Sequence, residues 1–261
     1  MHCIRIFVEN YAIMKRIFIT LFAALSAMIV SCGDYVSYTS TAKVNGVELF
    51  YAVEGRGKPV ILLHGNGGSH NDLETTTRQL AQAGYRVYAI DSRGQGANEP
   101  LDEYHYKDMA EDVYQFIQLE GLHKPAVFGF SDGGIVALQL EVMYPGTLSA
   151  IATGGANIFV EDALVPEFAE WFHNQPDPSP LTRMMMVEPN MSVEDMASIT
   201  IPALIMTGDS DLIREEHTRL IGESIPDGEV LIVENADHGS YIYHDLRVGN
   251  HLLEFFNRIG Y

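Results

Sequence analysis

The 261-residue sequence predicts an α/β fold: a mostly parallel, doubly wound sheet that opens with an antiparallel hairpin and carries a small lid insertion. Three observations lead there. Short apolar runs of strand length alternate with stretches in which apolar residues recur at helical spacing. Glycine-containing clusters follow the runs, where ligands bind beyond the strand ends of such sheets. The alternation breaks once, over residues 157–200, where five prolines stand among aromatic and methionine residues.

Taken in order, residues 33–41 read as a tether. Ala42 to Val53 reads as a hairpin around Asn45-Gly46, a strong turn signal. Glu54 to Lys58 is a polar glycine loop. Val60-Ile61-Leu62-Leu63 is a buried strand that ends in His64-Gly65-Asn66-Gly67-Gly68. A helix is expected from Asn71 to Ala83, closed by Gly84. Arg86 to Ile90 is the next strand, ending at Asp91-Ser92-Arg93-Gly94-Gln95-Gly96. Tyr106 to Leu119 is helical and stops at Gly121. Ala126 to Phe128 forms a strand, and Ile135, Val136, Leu138 and Leu140 mark the helix after it. Leu148 to Thr153 is a strand. Beyond the insertion come a strand at Ala203 to Met206, a helix at Arg214 to Glu223, a strand at Glu229 to Val233 and a mainly helical end from Tyr241 to Ile259.

The insertion contains Phe159, Phe168, Trp171, Phe172 and Met184-Met185-Met186. Soft thioethers and aromatic rings make an adaptable wall, so the segment is expected to form a lid over the site, with Trp171 as a candidate substrate contact.

The functional centre is the turn Gly129-Phe130-Ser131-Asp132-Gly133, set between strand and helix. Such a chain reversal is sharp and strained, and it exposes the serine hydroxyl at the sheet edge. Serine needs a base, usually histidine, and a carboxylate that fixes the tautomer of that histidine. Ser131, Asp211 and His238 each lie in a loop directly after an expected strand. Asp209 competes with Asp211, which is favoured because it lies farther out on its loop. His217, His244 and His251 lie in helical stretches and are read as surface groups. The oxyanion of a tetrahedral intermediate needs two amide donors. Asp132 and Asn66 are expected to supply them. His64 is read as a brace for its loop.

These residues resemble the α/β-hydrolase superfamily over nearly everything after residue 44, with five motifs in the expected order. Gly129-Phe130-Ser131-Asp132-Gly133-Gly134-Ile135 and Gly155-Ala156-Asn157 are similar to the biphenyl-hydrolase-like, or valacyclovirase, branch. The resemblance implies hydrolysis of esters, notably α-amino-acid esters. It implies Ser131, Asp211 and His238 as the catalytic set, Asp132 near the substrate amine and Asn157 as a substrate contact. A short lid and the leader set this chain apart from the mitochondrial and soluble relatives.

Residues 14–32 read as an export signal, with Met14-Lys15-Arg16 as its basic start and Ile17 to Val30 as its apolar core. The segment ends Ile29-Val30-Ser31-Cys32, which resembles a bacterial lipobox. Lipidation at Cys32 would anchor the domain of residues 42–261 to a membrane of the cell envelope. Met1 to Ile13 lack a leader's organisation, so Met14 is a second candidate start. Removing residues 1–31 moves the formal charge from −19 to −21, because three bases and one acid leave. So acidic a chain argues against a nucleic-acid partner. The only two cysteines are Cys3 and Cys32, so the mature domain has no disulfide. The sequence contains no dinucleotide fingerprint, calcium loop or His-Glu-x-x-His, so no metal or cofactor is expected. No feature sets an oligomeric state.

The expected partner is therefore a small-molecule ester. An aminopeptidase of the proline-iminopeptidase type or a carbon–carbon bond hydrolase would use the same three residues. A haloalkane dehalogenase is disfavoured, since it resembles cases with Asp where this chain has Ser131. A non-catalytic binding lipoprotein is disfavoured by the intact Ser, Asp and His.

Overall fold

Asn45 and Gly46 adopt positive φ values of 43° and 79°, the left-handed pair that a two-residue hairpin turn requires. They join β1 (Val36–Val44) to β2 (Val47–Gly55) in an antiparallel pair with Val44 opposite Val47. The computed structural model describes residues 34–261. The leader and Cys32 lie outside the described residues. β1 begins at Val36 rather than Ala42, so most of the expected tether is strand. Ser37, Tyr38 and Thr39 are exposed in succession. No apolar alternation marks an edge strand of this kind, and only its backbone pairing with β2 does.

The sheet has eight strands in the order β1-β2-β4-β3-β5-β6-β7-β8. β3 spans Pro59–Leu63, β4 Arg86–Ile90, β5 Ala126–Phe130, β6 Ala150–Gly154, β7 Ala203–Gly208 and β8 Gly228–Val233. β2 meets β4 antiparallel, and every pair from β4 to β8 is parallel. In the central strands both faces are covered, so they read as unbroken apolar runs. Ile61 and Leu63 of β3 face one core, while Val60 and Leu62 face the other.

The first core takes its helical side chains from α2 (Tyr106–Leu119), α3 (Asp132–Met143) and α7 (Glu215–Ser224). The second takes them from α1 (Glu74–Gln82) and α8 (Arg247–Ile259). A short 3₁₀ turn, His70–Leu73, precedes α1. α3 is buried from Asp132 to Glu141, which explains why it is apolar nearly all round. α8 buries Val248, Leu252, Phe255 and Phe256, one stripe at helical spacing. It starts at Arg247 rather than Tyr241, because residues 238–244 form turns.

The insertion folds as α4 (Pro166–His173), α5 (Pro180–Val187) and α6 (Val193–Ser198). Its two ends are tied together: Met191 N–H donates to Ile158 O at 2.8 Å, and Phe159 bridges Asn190. Past that neck, Met191, Met196 and Ile199 are buried in the first core, and α6 packs on α7 and α3. Within the insertion the neck marks off residues 160–189, the lid segment, of which Met184 also reaches the first core.

Two glycines let α3 fold back over β5. A Cβ on Gly129 would lie 2.1 Å from Gly133 O, and one on Gly133 would lie 2.3 Å from Leu63 O. Both obstacles are backbone and cannot yield. Gly133→Ala should therefore cost about 3 kcal/mol or more in urea unfolding. Gly121→Ala, at φ 62° with open space around it, should cost only about 1–2 kcal/mol.

Candidate active site

Ser131 sits between β5 and α3 with φ 51° and ψ −117°, a conformation that a non-glycine residue holds only when its surroundings impose it. Its N–H donates to Gly154 O at 2.7 Å, which ties the turn to β6. The hydroxyl donates to His238 Nε2 at 3.1 Å. His238 Nδ1 in turn donates to Asp211 Oδ1 at 2.6 Å. The three residues come from the ends of β5, β7 and β8.

Each member is held by its neighbours. Burial works against the charge on Asp211, but the His238 hydrogen bond and charge and the Ile213 amide outweigh it and hold the carboxyl below its usual range. The His238 ring stacks obliquely on Phe130, with centroids 4.9 Å apart. Gly155, at φ 62°, leaves it room, since a Cβ there would lie 2.6 Å from His238 Cε1. Asp209 is exposed and accepts the amides of Asn235 and Ala236, so it braces the β8 loop and does not face His238.

At the other end, Asp132 is the first residue of α3, so its amide has no intrahelical acceptor. Asn66 lies on the β3 loop facing it. His64 is buried, with Nδ1 donating to Gly65 O at 2.7 Å and Nε2 accepting from Ser92 N–H at 2.9 Å. Burial holds its pKa down, consistent with a neutral ring that braces the loop.

Ser131, Asp132 and His238 open onto a cavity of about 210 Å³. Val160, Leu164, Phe168, Phe172, Leu212 and Ile213 form its apolar wall, and Asn66, Tyr106, Asn157 and Glu188 its polar one. Asn157 lines the cavity as expected. Trp171 does not: its indole is 57% exposed. Phe168 and Phe172, three residues before it and one after, turn inward in its place.

Asp132 is 4% exposed. Oδ1 accepts from Tyr106 OH at 2.8 Å and Oδ2 from Asn66 Nδ2 at 2.8 Å. Burial pushes its carboxyl pKa up, and these two donors pull it partly back. Tyr106 and Glu188 were invisible as site residues in the sequence. Glu188, on the lid, accepts Tyr106 N–H at the start of α2 and His105 Nδ1–H at 2.6 Å. It thus straps the lid to the core.

His217 is no surface group. It is 4% exposed, its Nε2 accepts Ile158 N–H at 3.1 Å, and burial lowers its pKa to about 4. A neutral ring is what that acceptor role requires. His244 is exposed and His251 half-buried, and neither lines the cavity.

A family model described as alpha/beta hydrolase fold matches residues 58–194. The chain is 24% identical to AB hydrolase superfamily protein YisY of Bacillus subtilis, over 81% of this chain and 96% of that one. It is 34% identical to Serine hydrolase BPHL of Homo sapiens, over 48% of this chain and 45% of that one. Among solved structures, an esterase from Thermogutta terrifontis superposes with a TM-score of 0.70 at 20% identity, over 87% of this chain and 99% of that one. The meta-cleavage product hydrolase CumD of Pseudomonas fluorescens gives 0.71 at 20% identity, over 87% and 98%. At these identities the two superpositions show the fold.

The strap at Glu188 gives the lid a pH dependence. The hydrogen bond that His105 donates to Glu188 raises the His105 pKa above its ordinary 6.5; burial opposes this, and Glu103 adds to the rise. The stabilisation is present below that ordinary value and is lost as pH rises through the raised one. The excess of the wild-type melting temperature over that of His105→Gln should therefore be full below about pH 6 and shrink as pH rises above the ordinary histidine value, read in thermal scans.

Proposed function

Because the chain belongs to the α/β-hydrolase fold family, we propose that this hydrolase cleaves carboxylic esters by a Ser131–His238–Asp211 triad through an acyl-enzyme. The observation that carries the reading is the unbroken hydrogen-bond line from Ser131 through His238 to Asp211. The human relative is a serine hydrolase by name, which supports it.

Ser131 Oγ attacks the ester carbonyl carbon as its proton passes to His238 Nε2. Asp211, charged and buried, stabilises the imidazolium that forms. The tetrahedral oxyanion is met by the amides of Asp132 and Asn66 in a partly enclosed site, where such donors act strongly. Collapse expels the alcohol, which takes the proton from His238. Water then attacks the acyl-enzyme with the same base and releases the acid.

Asp132 indicates the substrate class. Its carboxylate is buried against the cavity, its two donors are neutral, and no Lys or Arg is among the described residues that line the space. An ammonium group beside the scissile carbonyl would supply the missing charge, and the apolar wall would take the rest of the acyl group. The preferred substrates are therefore α-amino-acid esters.

The leader at residues 14–32 supports a second proposal, that the protein is exported and lipidated on Cys32. Among the described residues no helix is long and apolar enough to cross a membrane.

Ser131→Ala should lower ester turnover by roughly 10⁴ or more with the fold intact, since the triad acts as a unit. Asp211→Asn should be severe and Asp209→Asn mild. Near-normal turnover by Ser131→Ala would end the serine-hydrolase reading.

An α-amino ester should exceed its des-amino analogue by roughly 30- to 1000-fold in kcat/KM, the effect of a shielded charge pair worth about 2–4 kcal/mol. Asp132→Asn should erase that ratio. Equal values in the wild type would refute the amine assignment. For the anchor, Cys32→Ser should move the protein out of the membrane fraction, and a wild type without lipid mass at its N-terminus would sink the proposal.

A further inference from the structure

The two residues whose amides face the oxyanion are also joined by their side chains. Asn66 Nδ2 donates to Asp132 Oδ2 at 2.8 Å. We propose that this bridge positions the oxyanion hole, with the Asp132 carboxylate fixing the Asn66 amide relative to Ser131. The inference rests on the serine-hydrolase reading and concerns every ester, with or without an amine.

Asn66 needs such a tie. It is exposed, and it is flanked by Gly65, Gly67 and Gly68, with Gly67 at φ 68°. A glycine-rich loop has many conformations open to it. An oxyanion donor must nonetheless hold its place to about half an ångström. The neighbours of Asn66 are secured: a Cβ on Gly65 would meet the Phe130 ring at 2.9 Å, and Gly67 N–H donates to buried Gln95 Oε1 at 2.7 Å. The tie from the Asn66 side chain itself runs to Asp132.

The Asp132 end is rigid. The residue follows Ser131, opens the central helix α3, and has its other carboxylate oxygen fixed by Tyr106 OH at 2.8 Å. The bridge therefore passes the register of the strained turn directly to the opposite loop. Nucleophile, first donor and second donor move as one unit. An acid that merely favours a helix start does so at the surface. Here it is buried, and each of its oxygens accepts one hydrogen bond, from Asn66 and from Tyr106, which leaves acceptor capacity toward the cavity.

The test is steady-state kinetics on a des-amino ester, where amine recognition plays no part. Asn66→Ala keeps its backbone amide and should still lose kcat by roughly 10- to 100-fold with KM nearly unchanged, the effect of a misplaced donor. Asp132→Ala should lose a similar factor, and Asp132→Asn, whose amide oxygen still accepts from Asn66, should lose less than Asp132→Ala. The double variant Asn66→Ala/Asp132→Ala should be no worse than the poorer single one, since both break one contact. Asn66→Asp sets two acids against each other and should be impaired, and adding Asp132→Asn, which restores a donor–acceptor pair, should recover at least about tenfold.

Wild-type kcat in Asn66→Ala, or full additivity in the double variant, overturns the proposal while leaving the triad standing. Failure of a fluorophosphonate to label Ser131 in the wild type overturns the serine-hydrolase reading and this inference with it. Asn66 is a surface loop residue, so its alanine variant carries the test even where the buried Asp132→Ala fails to fold.

Discussion

At Gly129 and Gly133 two stretches of backbone pass closer than any side chain permits, and the rest of the site depends on that crossing. It forces the chain to reverse within Ser131, which holds an unfavourable φ and ψ as a result. The strain persists because β5 is clamped between β3 and β6, and α3 is buried on all sides. The same reversal makes Asp132 the first residue of α3, beside Ser131 on the cavity. Position and strain have a single cause.

Around that crossing the loops after β3 and β4 are knitted into one surface. Ser92 N–H reaches His64, Gly67 N–H reaches Gln95, and Asp91 takes the amides of His70 and Ala97. Three of these four pair a backbone amide of one loop with a side chain of the other, and the fourth, from Ala97, closes the β4 loop on itself. The chain thereby spends little of its hydrophobic core on the site. Backbone groups near the surface are satisfied, as buried or half-buried ones must be, and the polar wall of the cavity comes almost without cost to packing. The opposite wall, from α4 and its flanks, is apolar and is held by Glu188 to the start of α2.

The sheet, and the meeting of Ser131, His238 and Asp211 in one hydrogen-bonded line, were legible in the sequence because both leave local marks. A strand covered on both faces is an unbroken apolar run, as at Val60 to Leu63, and the turn at Ser131 carries glycines whose places leave no room for a Cβ. The edge strand left no such mark: from Ser37 to Thr39 its side chains face solvent, and its pairing is made by backbone alone. Side-chain direction was the other gap. Trp171 was expected to touch the substrate, yet the helical rotation of α4 turns Phe168 and Phe172 inward and leaves the indole outside. His217 sits in a helical stretch as expected, and its burial follows from where α7 packs. Tyr106, Glu188 and Gln95 each matter through contacts with residues far along the chain, at separations that no periodicity encodes.

The neck formed by Phe159 with Asn190 and by Ile158 with Met191 has a consequence for how such proteins diversify. Everything between the two sides of that neck is a cartridge plugged into a socket. The socket belongs to the core, because Met191 on one side and Ile158 on the other are buried there. Loop closure is only weakly sensitive to length: doubling an insertion costs roughly 0.6 kcal/mol. Cartridges of quite different size can therefore be exchanged at these ends while the sheet and the loops that carry Ser131, Asp211 and His238 keep their places. The apolar wall that α4 lends the cavity is set by one stretch of the chain and the polar wall at Asn66 and Asp132 by others, so the first can drift without the second.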